Sequence, residues 1–128
     1  MAKLEVLGSN FWAGRLPVGC QLCREGAKLV LYLTGECQSH CFYCPVSRDR
    51  MYVDRTFANE REVRPGEIEP VLEEARLMKA KGAGITGGDP MTKPQRVIDY
   101  CTALKKEFGP NFHTHMYTQN VFDPAWLP

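Results

Sequence analysis

An α/β fold with parallel strands is predicted from two observations. Apolar segments of strand type at 27–33 and 83–86, and an alternating strand pattern at 112–118, are interleaved with segments of helical periodicity at about 65–81 and 94–108. The resulting order, strand-helix-strand-helix-strand, implies parallel strands joined by right-handed crossovers. At 128 residues the chain has the length of one domain, and its 44% apolar content is that of an ordinary globular protein.

Residues 1–26 mix Leu4, Val6, Leu7, Phe11 and Trp12 with Gly8, Gly14, Pro17 and Gly19, and no period of 2 or 3.6 is sustained. They read as an irregular N-terminal segment, carrying the pair Cys20 and Cys23, ahead of a body at 27–128. The first strand, 27–33, is rich in β-branched, aromatic and aliphatic residues and suits a buried position. It leads into a loop with Cys37, Cys41 and Cys44.

Residues 46–64 are polar, with Arg48, Arg50, Arg55, Arg61 and Arg64 interleaved with Asp49, Asp54, Glu60 and Glu62. A solvated connection of mixed sign is expected there; Arg48 or Arg50 as a bidentate partner for a ligand carboxylate is the sharper alternative. Helical signals begin at Pro65-Gly66-Glu67, admit Pro70 in the first turn, continue through Val71, Leu72, Ala75 and Met78, and stop at Gly82. A strand through Ile85 ends in the turn Gly87-Gly88-Asp89-Pro90. The second helix places Val97, Ile98, Cys101, Leu104 and Phe108 on one face and ends at Gly109-Pro110. In the third strand His113, His115 and Tyr117 alternate with Phe112, Thr114 and Met116, so the two sets point to opposite faces.

Five of the six cysteines fall between Cys20 and Cys44 at spacings typical of metal sites, where a secreted disulfide scaffold would spread them. Three thiols at Cys-x3-Cys-x2-Cys spacing can hold three irons of a 4Fe-4S cubane and leave one iron open, whereas a fourth cysteine is usual in a cluster that only carries electrons. The rival is a structural zinc ribbon on Cys20, Cys23, Cys41 and Cys44, a closed four-thiolate site. That rival leaves Cys37, the strand before the loop and the glycine turn without a role. Cys101 reads as a core thiol and His40 as a solvated loop side chain.

The Cys-x3-Cys-x2-Cys loop after the first strand, with the aromatic Tyr43 before its last cysteine, resembles the cluster motif of the radical S-adenosylmethionine superfamily. Gly87-Gly88-Asp89 after the second strand resembles that family's Gly-Gly-Glu element, with Asp where Glu is usual. Gln119-Asn120 after Tyr117-Thr118 resembles the turn that closes the family's third strand. Within the superfamily the chain looks most like archaeal-type proteins related to pyruvate formate-lyase activating enzymes.

The resemblance implies a partial (β/α) barrel, of which this chain has room for about three βα units at roughly 30 residues each. It further implies a 4Fe-4S cluster on Cys37, Cys41 and Cys44, and S-adenosylmethionine held at its methionyl end by Gly87, Gly88 and Asp89 and near its adenine by the backbone of Tyr43. The implied reaction is reductive cleavage of that cosubstrate to a 5′-deoxyadenosyl radical, which takes hydrogen from a substrate. An electron donor such as a ferredoxin or flavodoxin, and a partner chain or C-terminal half completing the barrel, are implied as well. In such a barrel His113, His115 and Tyr117 face the lumen; two histidines satisfied by neighbouring backbone groups, or exposed on an incomplete sheet, are the alternative. Cys20 and Cys23 are open to three readings: ligands to a second metal, a redox pair or buried thiols. The near balance of 16 basic and 15 acidic residues announces no nucleic-acid partner. With no leader-like or membrane-spanning run, a cytoplasmic location is expected.

Overall fold

The structure, a computed structural model, describes residues 4–7, 10–123 and 125. The apolar end at Trp126 and Leu127 lies outside them. Strands β1 (Leu4–Leu7) and β2 (Asn10–Ala13) pair antiparallel, and helix α1 (Val18–Arg24) follows. The expected irregular lead-in therefore contains a hairpin and a helix, both too short to show a period in the sequence.

A five-stranded mixed sheet forms the body, in the order β5-β4-β3-β6-β7. Strands β3 (Lys28–Thr34), β6 (Gly82–Gly87) and β7 (His113–Met116) are the three predicted strands, and they are parallel. The other two, β4 (Thr56–Ala58) and β5 (Arg61–Val63), are an antiparallel hairpin on the edge of β3. Here the expected solvated connection is corrected. Asn59, at φ +52°, makes the tight turn, and its side-chain oxygen and backbone N–H both bond to Val30 of β3. Part of its charge still pairs at the surface, where Arg55 forks onto Glu62 across the hairpin, while the part-buried Arg50 guanidinium lies 3.7 Å from the Phe57 ring centre.

Helix α2 (Glu69–Leu77) starts later than its pattern suggests, because Gly66, at φ +86°, turns the chain first. It also ends earlier. Lys79, not Gly82, takes the left-handed position at φ +54°; its N–H bonds to the Arg76 carbonyl and that of Ala80 to the Ala75 carbonyl, the paired bonds of a Schellman ending. Helix α3 (Pro94–Phe108) has its predicted bounds, but Tyr100 joins Val97 and Leu104 as a fully buried side chain where Ile98 is expected, its hydroxyl accepting the Gly66 N–H.

Helices α2 and α3 cover one face of the sheet, where Leu29, Leu31, Leu33, Ala83, Ile85, Phe112, Val71, Val97 and Leu104 form the core. Sheet register puts Lys28, Gly82 and His113, then Val30, Gly84 and His115, on the opposite face. Helix α1 lies across that face. A Cβ on Gly19 would stand 2.6 Å from the His115 ring, and one on Gly82 would stand 2.7 Å from Leu22. The cover is partial, since Val30 remains 41% exposed. The run 27–33 is thus buried on one side only, contrary to what its mostly apolar sequence suggests.

Candidate metal and cofactor site

At the C-terminal ends of β3 and β6 the chain folds a long loop back on itself. Gly35 opens that loop with two backbone bonds, donating its N–H to Val53 and accepting the N–H of Tyr52. The fold needs a glycine, because a Cβ there would lie 1.8 Å from the Arg50 carbonyl oxygen.

Beneath the loop, Thr34 is fully buried and its hydroxyl donates to Asp54, whose two oxygens accept Arg96 from α3 at 2.7 and 3.0 Å. Arg96 also donates to the Leu33 carbonyl. One bidentate pair therefore locks strand end, loop and helix together. Hydrogen bonding from Arg96 foremost, then from Thr34, holds the Asp54 carboxyl below its ordinary 3.8. A lowered carboxyl stabilises the fold above its unfolded value and loses that contribution as pH falls through the folded value. Asp54→Asn is accordingly expected to cost about 1.5–3 kcal/mol near neutrality, the worth of hydrogen bonds to a charged group. The gap from wild type in urea midpoint should close below about pH 4; a gap unchanged by pH would rule out the ion pair as its source.

Cys37, Cys41 and Cys44 all line one cavity of about 140 Å³, together with Tyr43, Gly87, Gly88 and Gln119. All three thiols are free and partly exposed. The Ser39 N–H donates to Cys37 Sγ at 3.4 Å, and the Gln119 side-chain amide donates to Cys41 Sγ at 3.3 Å. A tight turn, with Cys44 N–H on the Cys41 carbonyl, joins the last two thiols. His40 is not simply solvated: the Tyr52 hydroxyl lies 2.8 Å from its Nδ1 and also bonds to the Ser39 carbonyl.

The glycine turn borders the same cavity. Gly88 N–H bonds to the Thr34 carbonyl and Asp89 N–H to the Glu36 carbonyl, so the end of β6 is stitched to the start of the thiol loop. The Asp89 carboxylate is 3% exposed and its acceptor positions are all in use: one oxygen takes Met91 N–H and the Thr118 hydroxyl, the other Gln119 N–H and the Asn120 amide. Of Gly87, Gly88 and Asp89, the two glycines border the open space and the carboxylate ties the turn to the loop after β7.

Cys20 and Cys23 sit on α1, are exposed, and do not line this cavity. Cys101 is in the core, where burial pushes its thiol up to about 11. Among the described residues no three His, Cys, Asp or Glu side chains converge on one point as ligands of a single ion would. A cubane makes a different demand, since each thiolate binds its own iron. Three free thiols set around one cavity, with backbone kept open by glycine beside them, fit that group.

The family model described as the Radical SAM superfamily matches residues 31–127. The chain belongs to the radical SAM superfamily. It is also 48% identical, over 114 residues, to the Methanocaldococcus jannaschii protein named "Putative glycyl-radical enzyme activating enzyme". That alignment takes in 89% of this radical SAM chain and 29% of the relative, so the chain spans less than a third of the relative's length. No solved structure matches. Among the described residues no helix is long and apolar enough to cross a membrane.

The residues that brace the site were less visible in the sequence than those that line it. Thr34, Asp54 and Arg96 carry no motif and are separated by up to 62 positions. Gln119 had a signal in the polar pair that ends the third strand, but nothing there indicates contact with a cysteine 78 residues earlier.

Proposed function

We propose that this chain holds a 4Fe-4S cluster on Cys37, Cys41 and Cys44 and S-adenosylmethionine beside it, as the N-terminal part of a radical enzyme that abstracts hydrogen from a glycine of a partner protein. The observation that carries the reading is the shared cavity: three thiols from one loop and two glycines from the turn that ends the neighbouring parallel strand border the same space. The partner class follows the name of the relative.

When bound, the cluster supplies the electron that reductively cleaves the C5′–S bond of S-adenosylmethionine, the chemistry by which the superfamily forms a 5′-deoxyadenosyl radical. The protein's part is positional. Gly87 and Gly88 present backbone without side chains, so the methionyl end can approach closely. Asp89 fixes that turn, and the exposed Tyr43 offers its backbone to the adenine. The parallel strands β3, β6 and β7 with α2 and α3 are the opening units of a (β/α) barrel, whose lumen is the half-covered face bearing His113 and His115. Further βα units complete it, and a ferredoxin or flavodoxin delivers electrons.

Anaerobic reconstitution tests the reading. Iron and acid-labile sulfide are expected at about four each per chain, with an EPR signal after reduction that changes when S-adenosylmethionine is added. One zinc per chain without sulfide would defeat it in favour of a non-catalytic metal module.

A further inference from the structure

We propose that Gln119 is a positioning residue that sets the reduction potential of the cluster through its hydrogen bond to Cys41. The inference rests on the function proposed above and goes further, because it assigns the end of the third parallel strand, far from the cysteine motif, to the electronics of the site.

Both ends of the Gln119 amide are committed. Its nitrogen donates to Cys41 Sγ at 3.3 Å, and its oxygen accepts the Ser39 hydroxyl. Rotation of the amide would turn its oxygen toward the sulfur and its NH₂ toward a hydroxyl that now donates. A ligating thiolate is a pure acceptor, so the observed orientation is the one it requires. The backbone is held just as firmly. Gln119 N–H donates to Asp89 Oδ2 at 3.1 Å, with Thr118 and Asn120 bound to the same carboxylate at 2.6 and 2.9 Å. Asp89 in turn hangs on Glu36, at the head of the thiol loop, through its own N–H. The donor is therefore referenced to the loop that carries its acceptor, and the two cannot drift apart separately.

The direction of the effect follows from charge. Reduction adds an electron to the cluster, and an N–H pointed at a ligand sulfur stabilises that added negative charge. Hydrogen bonds to the sulfurs thus raise the potential. A cluster with an easier reduction is loaded more fully by a given donor.

The test compares reconstituted wild type with Gln119→Leu, Gln119→Glu and Ser39→Ala in redox titrations followed by EPR. Gln119→Leu keeps the backbone bond to Asp89 and removes the donor. It is expected to retain iron and sulfide while its midpoint moves negative, with the ratio of reduced to oxidised cluster at a fixed solution potential falling about tenfold, or about 59 mV for one electron. Gln119→Glu should move it further the same way by placing charge beside the sulfur. Ser39→Ala, which frees the amide to turn, should give a smaller shift of the same sign. Full clusters at the wild-type potential in both Gln119 variants would overturn the proposal. If Gln119→Leu fails to load, Ser39→Ala decides, and an unchanged potential there overturns it. A wild-type chain that takes up no cluster overturns the proposed function itself, which the metal analysis reads separately from any potential.

Discussion

Alanine at any one of Cys37, Cys41 or Cys44 is expected to abolish the brown, visible-absorbing form of the anaerobically reconstituted chain, with iron and sulfide falling by at least tenfold. The three thiols border one cavity and none has a nearby substitute: Cys20 and Cys23 belong to α1, and Cys101 is buried in the core. With a three-ligand set there is no spare thiolate, so loss of one leaves two irons without protein ligands. Cys20→Ala and Cys23→Ala are expected to load normally. The pattern separates the two metal readings cleanly. A ribbon on Cys20, Cys23, Cys41 and Cys44 predicts the reverse for Cys37 and Cys20, so retention of metal in Cys37→Ala with loss in Cys20→Ala would reject the cubane assignment.

Gly88→Ala is the second large effect. A Cβ at this position would stand 2.4 Å from the Glu36 carbonyl oxygen and 2.5 Å from that of Gly35, and both are backbone atoms with no rotamer to move to. The methyl can be accommodated only by prising β6 off the thiol loop, which breaks the bonds of Gly88 to Thr34 and of Asp89 to Glu36. A loss of about 3 kcal/mol is expected, the upper end of the overpacking range, together with loss of the cluster. Gly84→Ala provides the contrast. Its nearest neighbour is the His115 ring at 2.9 Å, a side chain that can turn, so the cost should be smaller and the cluster should survive. Urea unfolding and iron content measured on both variants check the pair; equal effects would mean that the turn and the loop are not coupled through backbone.

The elements legible in the sequence were those that repeat locally. Strands β3 and β6 announce themselves by apolar segments, β7 by alternation of its side chains, and α3 by a period that returns Val97, Cys101 and Leu104 to one face. The β4–β5 hairpin escaped because each of its strands is three residues long and its outward positions are charged. Its pairing depends on Asn59 meeting Val30, a contact no local pattern encodes. The end of α2 was misplaced for a similar reason: Lys79 adopts the left-handed backbone that a glycine is expected to supply.

Sequence alone determined the thiol trio, the glycine turn and the order of strands and helices between them, because spacing and periodicity act over a few residues and survive without the fold. Only the tertiary structure decided what Asp89 does, that Arg96 braces the loop through Asp54, and that Gln119 reaches Cys41. Those pairings join residues about 30 to 80 positions apart across strand ends. A carboxylate or an amide reads the same in any sequence, and its partner is chosen by which backbone segments the sheet brings within a hydrogen bond of it.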